Sequence, residues 1–229
     1  MLPKQVVCYY ADIGRPYLPL IQDMNRTCKA VMPGVERVLL TPTPSAELAK
    51  AGFTTIVELK VDVTEKTICY EKVRAIITWQ RQATAPIAFV DPDLLFQRPI
   101  QIPDDADVGL LWRKKICEPI NTGMILAKPG NHEFWQHYGN ATATLPRQLY
   151  GWFCDQLAFS VMFGSMHQPG DIVEFKGAKV KFIPVEEACA QPELCTPETW
   201  AIHYKGLRKG GDEWTKYFSP RPLRAVEAA

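Results

Sequence analysis

Short apolar runs at residues 6–10, 35–40, 55–59 and 87–90, each separated from the next by a longer or punctuated segment, constrain this chain more than any other feature. Val6-Val7-Cys8-Tyr9-Tyr10 is rich in strand-forming residues. Residues 16–32 then place Leu18, Ile21, Met24, Cys28 and Val31 at helical spacing and stop before Pro33-Gly34. Residues 35–40 predict a second strand, 44–51 a short helix opened by proline, 55–59 a third strand, and 64–81 a long helix leading into a strand at 87–90. Strands alternating with helices predict an α/β protein with a largely parallel sheet covered on both faces.

The last of these runs, Ile87-Ala88-Phe89-Val90, opens directly into Asp91-Pro92-Asp93 and continues as Leu94-Leu95-Phe96. Two carboxylates are thereby held side by side at the mouth of a buried strand, with Pro92 removing torsional freedom between them. Such a pair suits one hard divalent cation shared with phosphate oxygens. An acid-x-acid triplet also serves as a plain polar turn. Its position favours the site reading, because ligands of open α/β sheets collect at the carboxyl ends of strands.

With 47% hydrophobic and 22% charged residues over 229 positions, the chain has ample apolar content for one sizeable core. The net charge of +1 gives no overall field toward a polyanion or an anionic membrane, so no nucleic-acid partner is indicated. The scattered cysteines Cys8, Cys28, Cys69, Cys117, Cys154, Cys189 and Cys195 form no C-x-x-C pair; several sit in apolar runs and read as small core residues, and a reducing compartment is expected. No leader and no apolar run of membrane-spanning length is seen, so the expected location is cytoplasmic and the Asn25 and Asn140 sequons are expected to be unused.

Beyond the triplet, residues 108–112, 122–128 and 179–184 predict strands, and 132–138 and 155–163 predict helices. The proline-rich stretch 191–199 predicts a loop wrapping back toward the site. No linker divides the chain, which is expected to be a single domain over 1–229, with a nucleotide-binding half at 1–96 and a sugar and acceptor half at 97–229. Near the C-terminus, His203-x-x-Gly206-x-x-Lys209 supplies an imidazole, a glycine that admits close backbone approach, and a cation at regular spacing.

Asp91-x-Asp93 with His203-x-x-Gly206-x-x-Lys209 resembles the paired signature of GT-A glycosyltransferases of family 8. Asn121-Thr122-Gly123 resembles that family's donor-sugar strand, and Asp155-Gln156 its Asp-Gln pair at a helix start. The order and approximate spacing agree over nearly the whole chain. Two positions depart from the pattern: proline stands between the acids, and Gly210-Gly211 replaces the usual Pro-Trp.

The resemblance implies a GT-A nucleotide-diphospho-sugar transferase fold with a small second sheet. It implies a hexosyltransferase that moves sugar from a nucleotide donor, expected to be a UDP-hexose, to a hydroxyl acceptor with retention. Asp91, Asp93 and His203 become the expected ligands of Mn²⁺, with Mg²⁺ tolerated. Tyr10, Ala11 and Asp12 become the nucleoside contacts, and Arg74, Asp91, Asn121, Gly123, Asp155, Gly206 and Lys209 the remaining donor contacts. Gln156 and Asp155 become the residues at the reacting face; an amide is no base, so Gln156 would steady charge or position the acceptor, whereas Asp155 would serve as base if the enzyme inverts. Trp152, beside that loop, is the one tryptophan singled out as a sugar platform.

The residues leave two other readings open. A nucleotidyltransferase shares the sheet type and an acidic metal site, but such enzymes carry a glycine-rich loop after the first strand, where this chain has Ala11-Asp12-Ile13-Gly14-Arg15. A nucleotide-sugar-binding protein without turnover would keep the same donor contacts. The acceptor is not specified by any residue pattern.

Overall fold

The computed structural model describes residues 1–14, 18–113, 119–164 and 166–204. The predicted strands and helices of the first half form at β1 (Gln5–Tyr9), α1 (Leu18–Val31), β2 (Glu36–Thr41), α2 (Ala46–Ala49), β3 (Thr55–Glu58), α3 (Ile68–Arg81) and β4 (Ile87–Val90). Helix α3 starts later than periodicity predicts, because residues 64–67 form a turn in which the Thr64 amide donates to Thr67 Oγ1 at 3.1 Å. There the hydroxyls satisfy backbone groups that a helix would otherwise take.

The second half adds β5 (Leu94–Phe96), β6 (Val108–Trp112), β7 (Ile120–Ala127), α4 (His132–Thr144), α5 (Cys154–Phe163), β8 (Ile172–Phe175), β9 (Ala178–Pro184), α6 (Val185–Ala188), β10 (Cys189–Ala190) and β11 (Ala201–His203). Strand β8 is unannounced by the apolar pattern. It pairs antiparallel with β9 across Lys176-Gly177, both at positive φ (50° and 73°), the geometry of a tight two-residue hairpin.

The main sheet has eight strands in the order β3-β2-β1-β4-β7-β6-β9-β8. Strands β3, β2, β1 and β4 are mutually parallel, β7 runs against β4 and β6, and β9 is parallel to β6. The sheet is therefore mostly parallel, with β7 and β8 reversed, as the sequence leads one to expect. Alternation along β1 sends Val7 and Tyr9 to one face, packed on α3, α4 and α5, and Val6, Cys8 and Tyr10 to the other, packed on α1.

A second, small sheet has the order β10-β11-β5. Its β5 leaves the acidic triplet directly, and β11 pairs with it antiparallel, placing His203 opposite Leu94. The Tyr204 amide continues the ladder by donating to the Asp93 carbonyl at 3.0 Å. The segment at 191–199 thus does return the chain to the triplet, ending in a strand that three residues of sequence were too short to reveal.

Candidate active site

A cavity of about 390 Å³ opens at the carboxyl ends of β1 and β4. Its walls come from β1 and the following turn, the start of α3, the acidic triplet, the loop before α5, and β11. This is where the strand order of an α/β sheet leaves a crevice for ligands.

The candidate metal-ligand set assembles from two distant segments, residues 91–93 and residue 203. Asp91 lies just past β4, its amide fixed by the Gly123 carbonyl at 2.8 Å, and Asp93 lies just before β5. Pairing of β11 with β5 brings in the His203 ring, whose Nε2 is 3.2 Å from Asp93 Oδ1 and 3.8 Å from Asp91 Oδ2. One ligand atom from each of the three lies within 4.8 Å of the other two. Asp93 and His203 are buried, whereas Asp91 is 24% exposed and faces the cavity. Two carboxylates and one imidazole, with no thiolate among them, fit Mn²⁺ or Mg²⁺. The other ring nitrogen, Nδ1, sits 3.4 Å from Cys189 Sγ, a contact that orients the imidazole from behind.

Gly123 makes this arrangement possible by having no side chain. A Cβ there would stand 2.3 Å from His203 Cε1 and 2.7 Å from Nδ1. The glycine sits in an irregular stretch of β7: Leu110 pairs with Ile125 and Leu111 with Asn121, so residues 122–124 have no counterparts on β6. Bulged strands re-aim groups beside sites. Here the bulge offers the Gly123 carbonyl to Asp91 and the Thr122 hydroxyl to Asp155. Gly123, expected as a donor contact, does not line the cavity; it leaves room for the His203 ring.

Lys72, on α3, is the residue that sequence reasoning missed. Its ammonium donates to Asp91 Oδ1 at 2.6 Å and to Asp155 Oδ2 at 3.0 Å, with only 13% of the side chain exposed. Burial alone would lower its pKa, but the Asp91 and Asp155 charges more than offset that and hold it well above the usual range. Arg74, expected as a donor contact, lies two positions on along α3, is 57% exposed, and is held by Glu71 outside the cavity. The helical turn separates them: a shift of two residues rotates a side chain to the opposite face.

Asp155 sits in the first turn of α5, one residue past the helix start, so it is not an N-cap. Its Oδ2 accepts from Thr122 Oγ1 at 2.7 Å and from Lys72, and its Oδ1 from the Gln156 amide at 2.9 Å. Burial pushes the carboxyl up, but Lys72 and these hydrogen bonds outweigh it and keep the pKa below the usual carboxylate range. Both carboxylate oxygens are thus committed to hydrogen bonds within the protein. The loop that delivers it is tightly set: Phe153 takes φ 67°, rare for an aromatic residue, and a Cβ on Gly151 would lie 2.1 Å from the Glu65 carbonyl oxygen.

Tyr10, Ala11, Asn121 and Gln156 all line the cavity, as does Trp152, which is 53% exposed at its mouth. Asn121 Oδ1 accepts from the Gly123 amide at 2.7 Å. Asp12, expected beside the nucleoside, is exposed outside the cavity lining, its Oδ1 accepting from Gly14. Gly206 and Lys209 lie outside the described residues. Cys69 also lines the cavity, but burial, then the Asp155 charge, push its thiol up to about 12, so it is no thiolate nucleophile near neutrality.

No protein-family model and no curated protein matches the chain. Solved structures do. A glycosyltransferase involved in glycosylation of the major capsid of PBCV-1 aligns with a TM-score of 0.59 over 93% of this chain and 98% of that one, at 12% identity. The galactosyltransferase LgtC, solved with donor and acceptor sugar analogues, aligns with a TM-score of 0.58 over 93% and 94%, at 13% identity. The fold is GT-A. At these identities the likeness is one of fold. Among the described residues no helix is long and apolar enough to cross a membrane.

Proposed function

We propose that this chain is a metal-dependent glycosyltransferase that moves a hexose from a nucleotide sugar, a UDP-hexose, to a hydroxyl acceptor with retention of anomeric configuration. One observation carries the reading: Asp91 belongs at once to the cation-ligand set and to the Lys72–Asp155 network, so metal, diphosphate and donor sugar would meet at one carboxylate.

Asp91, Asp93 and His203 would hold the cation. When bound, it supplies positive charge against the diphosphate that leaves with the nucleotide. The chain's own residues do the rest. Tyr10 and Ala11 line the end of the cavity where β1 stops and would receive the nucleoside. Asp155, held ionised by Lys72 and Thr122, would accept hydrogen bonds from donor-sugar hydroxyls, and Asn121, its oxygen already bonded to Gly123, would offer its NH₂ to them. Buried partners of this kind reject a sugar lacking the matching hydroxyl. Asp155 is poorly suited to be the base of an inverting reaction, which supports retention, with the acceptor proton leaving on the departing phosphate oxygen.

Calorimetric titration of UDP with and without Mn²⁺, followed by a screen of labelled nucleotide sugars for slow metal-dependent hydrolysis, tests the reading. Metal-dependent UDP binding and hydrolysis of a UDP-hexose, both lost in Asp93→Asn at unchanged thermal stability, are expected. Tight metal-independent binding without hydrolysis would instead mark a binding protein, and an inverted first product in the proton NMR spectrum would remove retention.

A further inference from the structure

Arg113 follows β6 directly and lines the cavity. Its Nη2 lies 2.6 Å from Gln156 Oε1, and Gln156 lines the same cavity. A guanidinium has donors and no acceptor, so the Gln156 atom facing it is the carbonyl oxygen and the amide orientation is settled. What Gln156 has left for a ligand is its NH₂ group, which bonds to no other group among the described residues.

Local structure holds both ends of this contact. The Arg113 amide donates to the Pro119 carbonyl at 2.7 Å, and the Gln156 amide is bonded both to Asp155 Oδ1 and to the Phe153 carbonyl. A charge-assisted bond between two such anchored residues is stronger and shorter than a neutral one.

We propose that Arg113 is a positioning residue that fixes Gln156 as a hydrogen-bond donor to an oxygen of the bound sugar, and that the Gln156 carbonyl oxygen does not attack the anomeric carbon. The inference rests on the glycosyltransferase reading and specifies one residue of that site. Gln156 forms no covalent bond during turnover: it keeps its protons and its lone pairs, which are directed at a cation. The glycosyl group passes to the acceptor oxygen as the donor's bond to the diphosphate breaks, with no adduct on residue 156.

The test is a double-mutant cycle on full-length protein, reading kcat and KM for Mn²⁺-dependent UDP-hexose hydrolysis. Arg113→Met is expected to lower kcat on the order of 10- to 100-fold, the scale of a mispositioned catalytic group, with a much smaller change in donor KM. In a Gln156→Ala background the same change is expected to cost less than about twofold, since its effect is already spent. Equal losses in both backgrounds would overturn the proposal. Gln156→Glu would keep an ion pair with Arg113 and hence the fold, but lose the NH₂. Activity as low as in Gln156→Ala is expected. Wild-type activity, or a glycosyl adduct on residue 156 by intact mass, would overturn the proposal.

If UDP and Mn²⁺ fail to bind the wild type, the glycosyltransferase reading falls separately. The Arg113 contact is then judged without ligand, from the Gln156 side-chain amide resonances identified by their loss in Gln156→Ala. Those resonances are expected to move in Arg113→Met, and unchanged shifts would overturn the contact.

Discussion

Gly123→Ala perturbs the geometry of the proposed metal centre without replacing a ligand, the added Cβ also standing 2.9 Å from Asn121 Oδ1. The added Cβ would stand 2.3 Å from His203 Cε1, whereas carbon atoms in contact sit about 3.5–4.0 Å apart, so the ring must retreat by roughly 1.2 Å or more. Metal ligands tolerate displacements of only about 0.2 Å, and small changes around a ligand already cost about 10- to 100-fold in metal affinity. Mn²⁺ affinity measured by calorimetry in the presence of UDP is therefore expected to fall by at least that factor. Overpacking of a buried strand should also cost about 1–3 kcal/mol in urea denaturation. Removing the ring in a Gly123→Ala/His203→Ala double variant should recover most of the stability but none of the affinity. Wild-type Mn²⁺ binding by Gly123→Ala would refute the argument, since the ring would then have room to move without leaving the metal.

Two further outcomes follow from the cavity's charges. Lys72→Met leaves the buried Asp155 and the half-buried Asp91 without their shared cation and is expected to cost about 3 kcal/mol in metal-free denaturation, whereas Arg74→Ala, on the exposed face of the same helix, should stay within about 0.5 kcal/mol and leave donor hydrolysis unchanged. Because the Asp155 pKa is lowered on folding, its contribution to stability is present above the unfolded carboxylate pKa and is lost as pH falls through the folded value. Denaturation midpoints of the wild type should thus drop progressively below about pH 5, and Asp155→Asn should flatten that slope; parallel slopes in the two proteins would count against the buried anion.

The first half of the fold is legible in the sequence because strands and helices alternate there and most carry their own periodicity. Apolar alternation along Val6-Val7-Cys8-Tyr9-Tyr10 and helical spacing from Leu18 to Val31 encode local structure. Hairpin β8–β9 is harder to see, since its edge strand alternates exposed and half-buried residues and its turn depends on Lys176 adopting positive φ. Of the site, the cation ligands are legible because residue type alone restricts them. Lys72 is not, because choosing between it and Arg74 requires the rotation of α3 relative to Asp91, a tertiary quantity. Gly123 is legible as a special residue but not for its reason, which depends on a ring from the other end of the chain.

Strand β11 has three residues, and its pairing with β5 on one side and β10 on the other carries the imidazole to the carboxylates. Short ladders open more readily than long ones at the centre of a large sheet. Fraying of this clasp would withdraw one ligand while leaving the eight-stranded sheet intact, so the apparent metal affinity becomes a measure of how often three residues stay docked. By mass action the reverse also holds: a bound cation would lock the clasp shut. The centre and the small sheet are then one thermodynamic unit, and hydrogen exchange at Ile202 and His203 would slow as metal is added.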